Sequence, residues 1–236
     1  GTGRMWVRGA GTMQLPLDRD LQGKPLDTVE LLDITWNGQM HFDSQTISFD
    51  KDVFAKTKNQ QLRTSSLKVT LNRQLNFSQP IERDALELQQ IACTGGVHLV
   101  NREVEKGREL AFDQLQTDDL NIEQPSGRLV AKGPGFLTSV REGNASTSPL
   151  RLTGAAGKAS GNPQTKRGIN YLRVDFSRGL AGNVHHRELT FLERVLCTYG
   201  PVAHRQAEVA IDPVTGPVGD QVVLNCNQLT VRQMGK

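Results

Sequence analysis

Residues 32–43 read LDITWNGQMHFD, and their reading decides the fold class. Leu32, Ile34, Trp36, Gly38, Met40 and Phe42 fall on one side of an extended chain. Asp33, Thr35, Asn37, Gln39, His41 and Asp43 fall on the other. An extended backbone sends successive side chains to opposite faces, so this alternation predicts one strand with a dry face and a wet face. The rhythm recurs along the chain. Leu67, Val69 and Leu71 oppose Lys68, Thr70 and Asn72, and Ile91, Cys93, Gly95, Val97 and Leu99 share a face. Leu172, Val174, Phe176 and Leu180 oppose Arg173, Asp175 and Ser177, with Arg178 breaking the apolar row. Leu224, Leu229 and Val231 close the series. Long helical patterns are absent. One-sided strands must bury their apolar face, and here the only partner is another sheet. The expected class is all-β: tandem short strands forming a sandwich, a jelly roll or a flattened solenoid.

The strands come in repeats. Residues 3–13, GRMWVRGAGTM, align with residues 127–137, GRLVAKGPGFL. Gly3, Arg4, Gly9 and Gly11 coincide with Gly127, Arg128, Gly133 and Gly135, which reads as strand, glycine bend, strand. Thr46 to Ala55 aligns with Glu188 to Cys197, Leu32-Asp33-Ile34 with Val174-Asp175-Phe176, and Leu62 to Val69 with Leu224 to Val231. A related unit lies between the copies, where Gly96-Val97-His98-Leu99 leads to Leu110 through Thr117. One elongated domain over 1–236 is expected, with sub-repeats at about 3–78, 86–126 and 127–232. Residues 142–168, rich in Gly, Ser, Thr, Asn and Pro, read as a surface loop insertion, and 199–220 as a second one.

Composition agrees with a thin core. Of 236 residues only 36% are hydrophobic and 5% aromatic. The net charge of +3 permits anionic partners without demanding them. The basic residues are scattered and not interleaved with aromatics, which excludes a nucleic-acid footprint. Cys93, Cys197 and Cys226 are too few and odd in number for a disulfide framework. They read as small buried hydrophobes, with a Cys197–Cys226 bridge left open. No apolar stretch approaches the roughly 20 residues of a spanning helix. Gly1-Thr2-Gly3-Arg4 is not followed by the apolar region of a signal peptide. The repeat pattern starts and stops abruptly, so the chain reads as a piece of a longer protein whose targeting segment lies outside it.

His185, His186, His204, Cys197 and Cys226 lack the tight ligand pairs of a zinc site, so no metal and no cofactor are expected. Gly9-Ala10-Gly11 and Gly133-Pro134-Gly135 lack the third glycine and helix of a dinucleotide loop. No G-x-S-x-G, H-E-x-x-H or phosphate-loop motif occurs. Asp118-Asp119 and Asp52 could act as paired carboxylates on a sugar, but aspartates at such places usually shape turns. Trp6 and Trp36 could stack on sugars, yet Trp36 is in phase with Leu32, Ile34 and Met40. Asn144-Ala145-Ser146 matches a glycosylation sequon.

The run Gly95-Gly96-Val97-His98-Leu99-Val100, a polar turn, then Leu110-Ala111-Phe112-Asp113-Gln114-Leu115 resembles the repeat of the OstA-like lipopolysaccharide-transport family. Residues 47–69 and 189–231 resemble it more loosely, and the insertions at 142–168 and 199–220 depart from it. The resemblance implies a half-open jelly roll, or β-taco, whose apolar interior holds lipid acyl chains. It implies a non-enzymatic carrier of the bacterial periplasm or outer envelope. Its implied partners are lipid or glycolipid chains and, by edge-to-edge strand pairing, itself or other members of the family. The groove would be lined by Leu32, Ile34, Trp36, Met40 and Phe42, then Phe49, Leu67 and Val69. Val97, Leu99 and Phe112 would follow from the middle unit, and Val174, Phe176 and Phe191 from the second copy. Two other readings compete. One is a carbohydrate-active β-helix enzyme, which needs carboxylates gathered on a groove. The other is a ligand-free envelope scaffold.

Overall fold

In the computed structural model, which describes residues 3–19, 25–74, 88–142, 168–186, 188–212 and 214–232, the alternating stretch at 32–43 turns a corner. It divides at Asn37-Gly38 into two strands, β3 (Pro25–Trp36) and β4 (Gln39–Asp43). The expectation of one straight strand is corrected there. A bend that occupies two residues leaves the in-out phase intact, so alternation alone cannot reveal it. Two strands precede these, β1 (Arg4–Arg8) and β2 (Gly11–Arg19). Then come β5 (Thr46–Lys56), β6 (Gln60–Leu71), β7 (Leu88–Thr94), β8 (Val97–Glu105), β9 (Arg108–Thr117) and β10 (Asp119–Glu123). The chain continues through β11 (Arg128–Lys132), β12 (Gly135–Glu142), β13 (Ile169–Phe176), β14 (Gly179–Asn183), β15 (Glu188–Val202) and β16 (Val222–Arg232). Every regular element among the described residues is a strand, and every pairing between named strands is antiparallel.

The pairings form two sides that run in parallel order. One side is β1, β4, the first half of β5, the second half of β6, β7, β10, β11, β14, the first half of β15 and the second half of β16. The other is β2, β3, the second half of β5, the first half of β6, β8, β9, β12, β13, the second half of β15 and the first half of β16. Because β6 and β15 belong to both sides, ten strands close into an antiparallel barrel, β6-β7-β10-β11-β14-β15-β13-β12-β9-β8, with the remaining strands outside it.

The bends that join the sides share a chemistry. Lys51 and Asp52 in β5 adopt φ of 66° and 48°, and Glu193 and Arg194 in β15 adopt 60° and 46°. The ladder shifts register at both places, between Asp50 and Val53 and between Leu192 and Val195. Left-handed backbone costs a non-glycine residue about 1–2 kcal/mol, and here neighbours hold it. The Asn37 and Gly38 N–H groups donate to the Lys51 and Asp50 carbonyls at 2.8 and 2.9 Å. The Ser177 and Arg178 N–H groups donate in the same way to Glu193 and Leu192 at 2.9 and 3.2 Å. Arg178 therefore interrupts the apolar row because it stands at a corner, where it pairs with Glu193 at 3.0 Å.

The two copies agree in register. Phe49 faces Leu67 and Ala55 faces Leu62, just as Phe191 faces Leu229 and Cys197 faces Leu224. Val7 faces Met40 as Ala131 faces Leu180, and Met13 faces Ile34 as Leu137 faces Val174. The last equivalence corrects the alignment of Ile34 with Phe176. Ile34 occupies the place of Val174, and Trp36 that of Phe176. The reason lies at the corner. Trp36 pairs with Gly11 and Phe176 with Gly135. A Cβ on either glycine would come closer than 3.0 Å to the ring. The glycine bend thus admits an aromatic ring in both copies. The loop insertion expected at 142–168 falls almost wholly outside the described residues. Of the second insertion, expected at 199–220, the first four residues belong to β15, and Asp212 and Gly216 form an isolated bridge among the described remainder. Arg205 in it binds Glu142 at 2.7 Å and also pairs with Glu109.

Candidate functional site

The side chains that alternate inward from the two sides meet in one apolar cluster. It runs from Ile34 and Trp36 in β3 through β4–β14 to Phe191 and Val195 in β15. Near the corner the sides touch through aromatic rings. Trp36 lies 5.2 Å from Phe49, and Phe176 lies 5.8 Å from Phe191, between ring centroids. The Trp36 Nε1–H donates to the Gly9 carbonyl at 3.1 Å, so the indole's polar edge is satisfied inside the bend.

Thirteen of the fourteen expected groove residues belong to this interior. Ile34, Trp36, Met40, Phe42, Phe49, Leu67, Val97, Val174, Phe176 and Phe191 are buried in the cluster, and Leu32, Val69 and Leu99 are half-buried against it. Phe112 is the exception. In β9 the buried phase is Ala111, Asp113, Leu115 and Thr117, which puts Phe112 on the opposite face. There the Arg102 guanidinium sits 5.0 Å from its ring centroid. The pattern Leu-x-Phe-x-x-Leu suggested that Phe112 turned inward. The pairing of Leu115 with Leu99 and Leu137 settles the phase the other way.

The interior changes character away from the corner. On the side formed by β8, β9, β12 and β13, one row reads Leu99, Leu115, Leu137 and Val174. The next row out reads Asn101, Asp113 and Ser139, all buried. The Arg141 Nη2 donates to both Asp113 oxygens at 2.8 Å, its Nε donates to Ser139 Oγ at 3.0 Å, and Ser139 Oγ–H donates to Asp113 Oδ1 at 2.6 Å. Asn101 Nδ2 lies 3.5 Å from Asp113 Oδ2, and Gln60 Nε2 donates to Asn101 Oδ1 at 3.3 Å. The Glu103 carboxylate stands 3.8 Å from Arg141. Burial pushes the Asp113 carboxyl up, and the donors Arg141, Ser139 and Asn101 pull it back. Sequence reasoning missed this network. The signal was an acid in phase with Leu115 and an arginine in phase with Leu137.

On the facing side, Leu120 and Ile122 of β10 point inward, and Gln124 continues their phase into the β10–β11 turn. Gln124 is 7% exposed, and neither its amide oxygen nor its amide nitrogen has a hydrogen-bond partner. An unpaired buried amide of this kind costs about 1–3 kcal/mol. Gln124 stands about as far from the Asp118 corner along its side as Asp113 and Ala111 stand along theirs.

No protein-family model matches the chain, and no curated protein matches it.

The residues of candidate metal, carboxylate and sugar-stacking chemistry lie elsewhere. The His185 and His186 backbone N–H groups both donate to Asn183 Oδ1 at 2.9 Å, and both residues are exposed, as is His204. Among the described residues no group of three His, Cys, Asp or Glu side chains is assembled to hold a metal ion. Asp52 Oδ2 accepts from Asn37 Nδ2 at 3.3 Å across a corner. Asp119 accepts from the Gly95 N–H at 3.3 Å and pairs with Lys132 at 3.8 Å. These aspartates brace bends, Asp52 at the kink within β5 and Asp119 at the start of β10. Trp6 is 58% exposed, on the outer face of the edge strand β1, and bonds Gln39 at 3.3 Å.

All three cysteines are free thiols. Burial pushes Cys93 up to about 12, and burial with the neighbouring Cys226 pushes Cys197 up to about 11. The thiolate is the reacting species. Cys93, only 1% exposed, is therefore expected to alkylate at least about a hundredfold more slowly than an exposed thiol at pH 8. Intact mass after iodoacetamide, with and without urea, measures this. Rapid native labelling of Cys93 would mean that the β7 strand opens.

Proposed function

We propose that this chain is a non-enzymatic lipid carrier of the OstA-like, β-taco type. It holds the acyl chains of a lipopolysaccharide-like lipid between its two sides and serves in the periplasm or outer envelope of a bacterium. The observation that supports it best is the apolar row nearest the corner, shared by strand after strand. Keeping lipid tails out of water is worth about 0.8 kcal/mol per CH₂, and a track lets that be kept over a distance without one tight pocket. The track is less tightly covered at both ends: Val7, Met13, Leu15 and Leu32 are only half-buried at the β1–β3 end, and Cys197, Tyr199, Cys226, Leu229 and Val231 at the β15–β16 end. Edge strands at both ends suit strand pairing with a second chain. Met5 and Trp6 of β1 are exposed at one end, and Val222, Val223 and Leu224 of β16 at the other.

A ligand-free scaffold is the second reading, favoured by the tight packing near the corner, where Phe49, Val174, Phe191 and Val195 are 0% exposed. Organic extracts of the protein purified from the cells that make it separate the two. The carrier reading expects a co-purifying lipid by mass spectrometry. It also expects at least a tenfold loss of that lipid in Leu15→Gln/Leu32→Gln, two half-buried sites, with the far-UV β signal unchanged. A folded wild-type protein free of lipid, and unlabelled by added lipid photo-probes, would leave the scaffold.

A further inference from the structure

We infer that the unpartnered Gln124 carboxamide, on the side across from the Asp113–Arg141 network, is a binding site for the neutral linkage of an amphiphile, a hydroxyl or amide group, and not for its phosphate or carboxylate. The inference rests on the carrier reading and names which part of the cargo is held inside. Gln124 extends the inward row of Leu120 and Ile122, and its carboxamide is buried with both ends unpartnered. Buried polar atoms in folded proteins nearly always find a partner. A carboxamide offers an acceptor oxygen and two N–H donors. Its complement is a group that both donates and accepts, which a hydroxyl or an amide does and an ionised phosphate does not.

The facing network sets the charge. Arg141 is already held by both Asp113 oxygens and stands beside Glu103. Its one positive charge is bracketed by two carboxylates, so a further anion gains no cation and meets repulsion. The rows place the group as well. Leu99, Leu115 and Leu137 lie just nearer the corner than Asn101, Asp113 and Ser139. An amphiphile with its tail along the leucine row would therefore carry its first polar group at the level of Ser139 and Gln124.

The test is displacement of a fluorescent fatty-acid probe from the full chain by three C12 ligands: monolauroylglycerol, methyl laurate and laurate. Wild-type protein is expected to prefer monolauroylglycerol by about tenfold over each of the other two. Gln124→Leu, which removes the unpartnered amide, is expected to erase the preference over methyl laurate and to raise Tm. Equal binding of all three ligands to wild type and variant would overturn this inference alone and leave Gln124 to a water molecule. A preference for laurate would overturn it too, since it would place a cation at the site. Failure of every ligand and of the probe to bind would remove the carrier reading itself.

Discussion

Arg141→Ala is expected to destabilise the fold by about 3–5 kcal/mol, because it strands a buried carboxylate. The Asp113 side chain is 4% exposed and that of Arg141 is 12%. Arg141 Nη2 donates to both Asp113 oxygens, and its Nε donates to the Ser139 Oγ that in turn donates to Asp113 Oδ1. Removing the guanidinium leaves a charge that neither solvent nor protein neutralises. Removing both charges together is a different experiment. Asp113→Leu/Arg141→Met keeps the volume, takes the desolvation cost away, and is expected to lie within about 1 kcal/mol of wild type or above it. Urea midpoints at constant slope measure both variants. A loss below about 1 kcal/mol for Arg141→Ala would mean that water reaches Asp113.

Phe191→Ala and Phe49→Ala are each expected to cost about 3–5 kcal/mol, the range for emptying a large aromatic from a packed core. Both rings are 0% exposed and both pack on an aromatic from the opposite side, Phe176 and Trp36 respectively. They occupy the same place in the two copies, so similar losses are expected from both. Six strand spacings separate β5 from β15 along the stack, roughly 29 Å. At that distance the double variant should lose the sum of the single losses to within about 0.5 kcal/mol. A double loss well short of the sum would mean that the two ends unfold separately.

Alternation carried the all-β class, and matched glycines carried the duplication, because both are local properties of the chain. Leu32 through Phe42 revealed which residues face inward without revealing that the chain bends among them. Lys51-Asp52 and Glu193-Arg194 were aligned as a pair, yet nothing in four charged residues announces a left-handed backbone; the bend is imposed by the strands on either side. Phe112 and Asp113 show the limit most sharply. Hydropathy favours the phenylalanine inside, and the register fixed by Leu99, Leu115 and Leu137 puts the aspartate there. That aspartate is tolerable only because Ser139 and Arg141 arrive from another strand, a fact of pairing that a linear pattern does not hold. The unpartnered amide of Gln124 is likewise visible only once burial is known.

No strand ladder crosses from one side to the other; the sides are joined by the bends, by side-chain packing and by β5, β6, β15 and β16, which pass through both. The line of bends acts as a spine on which both sides are bound. A substitution that straightens one bend is therefore expected to disturb both sides at once, whereas one on a single side keeps its effect to that side's ladder.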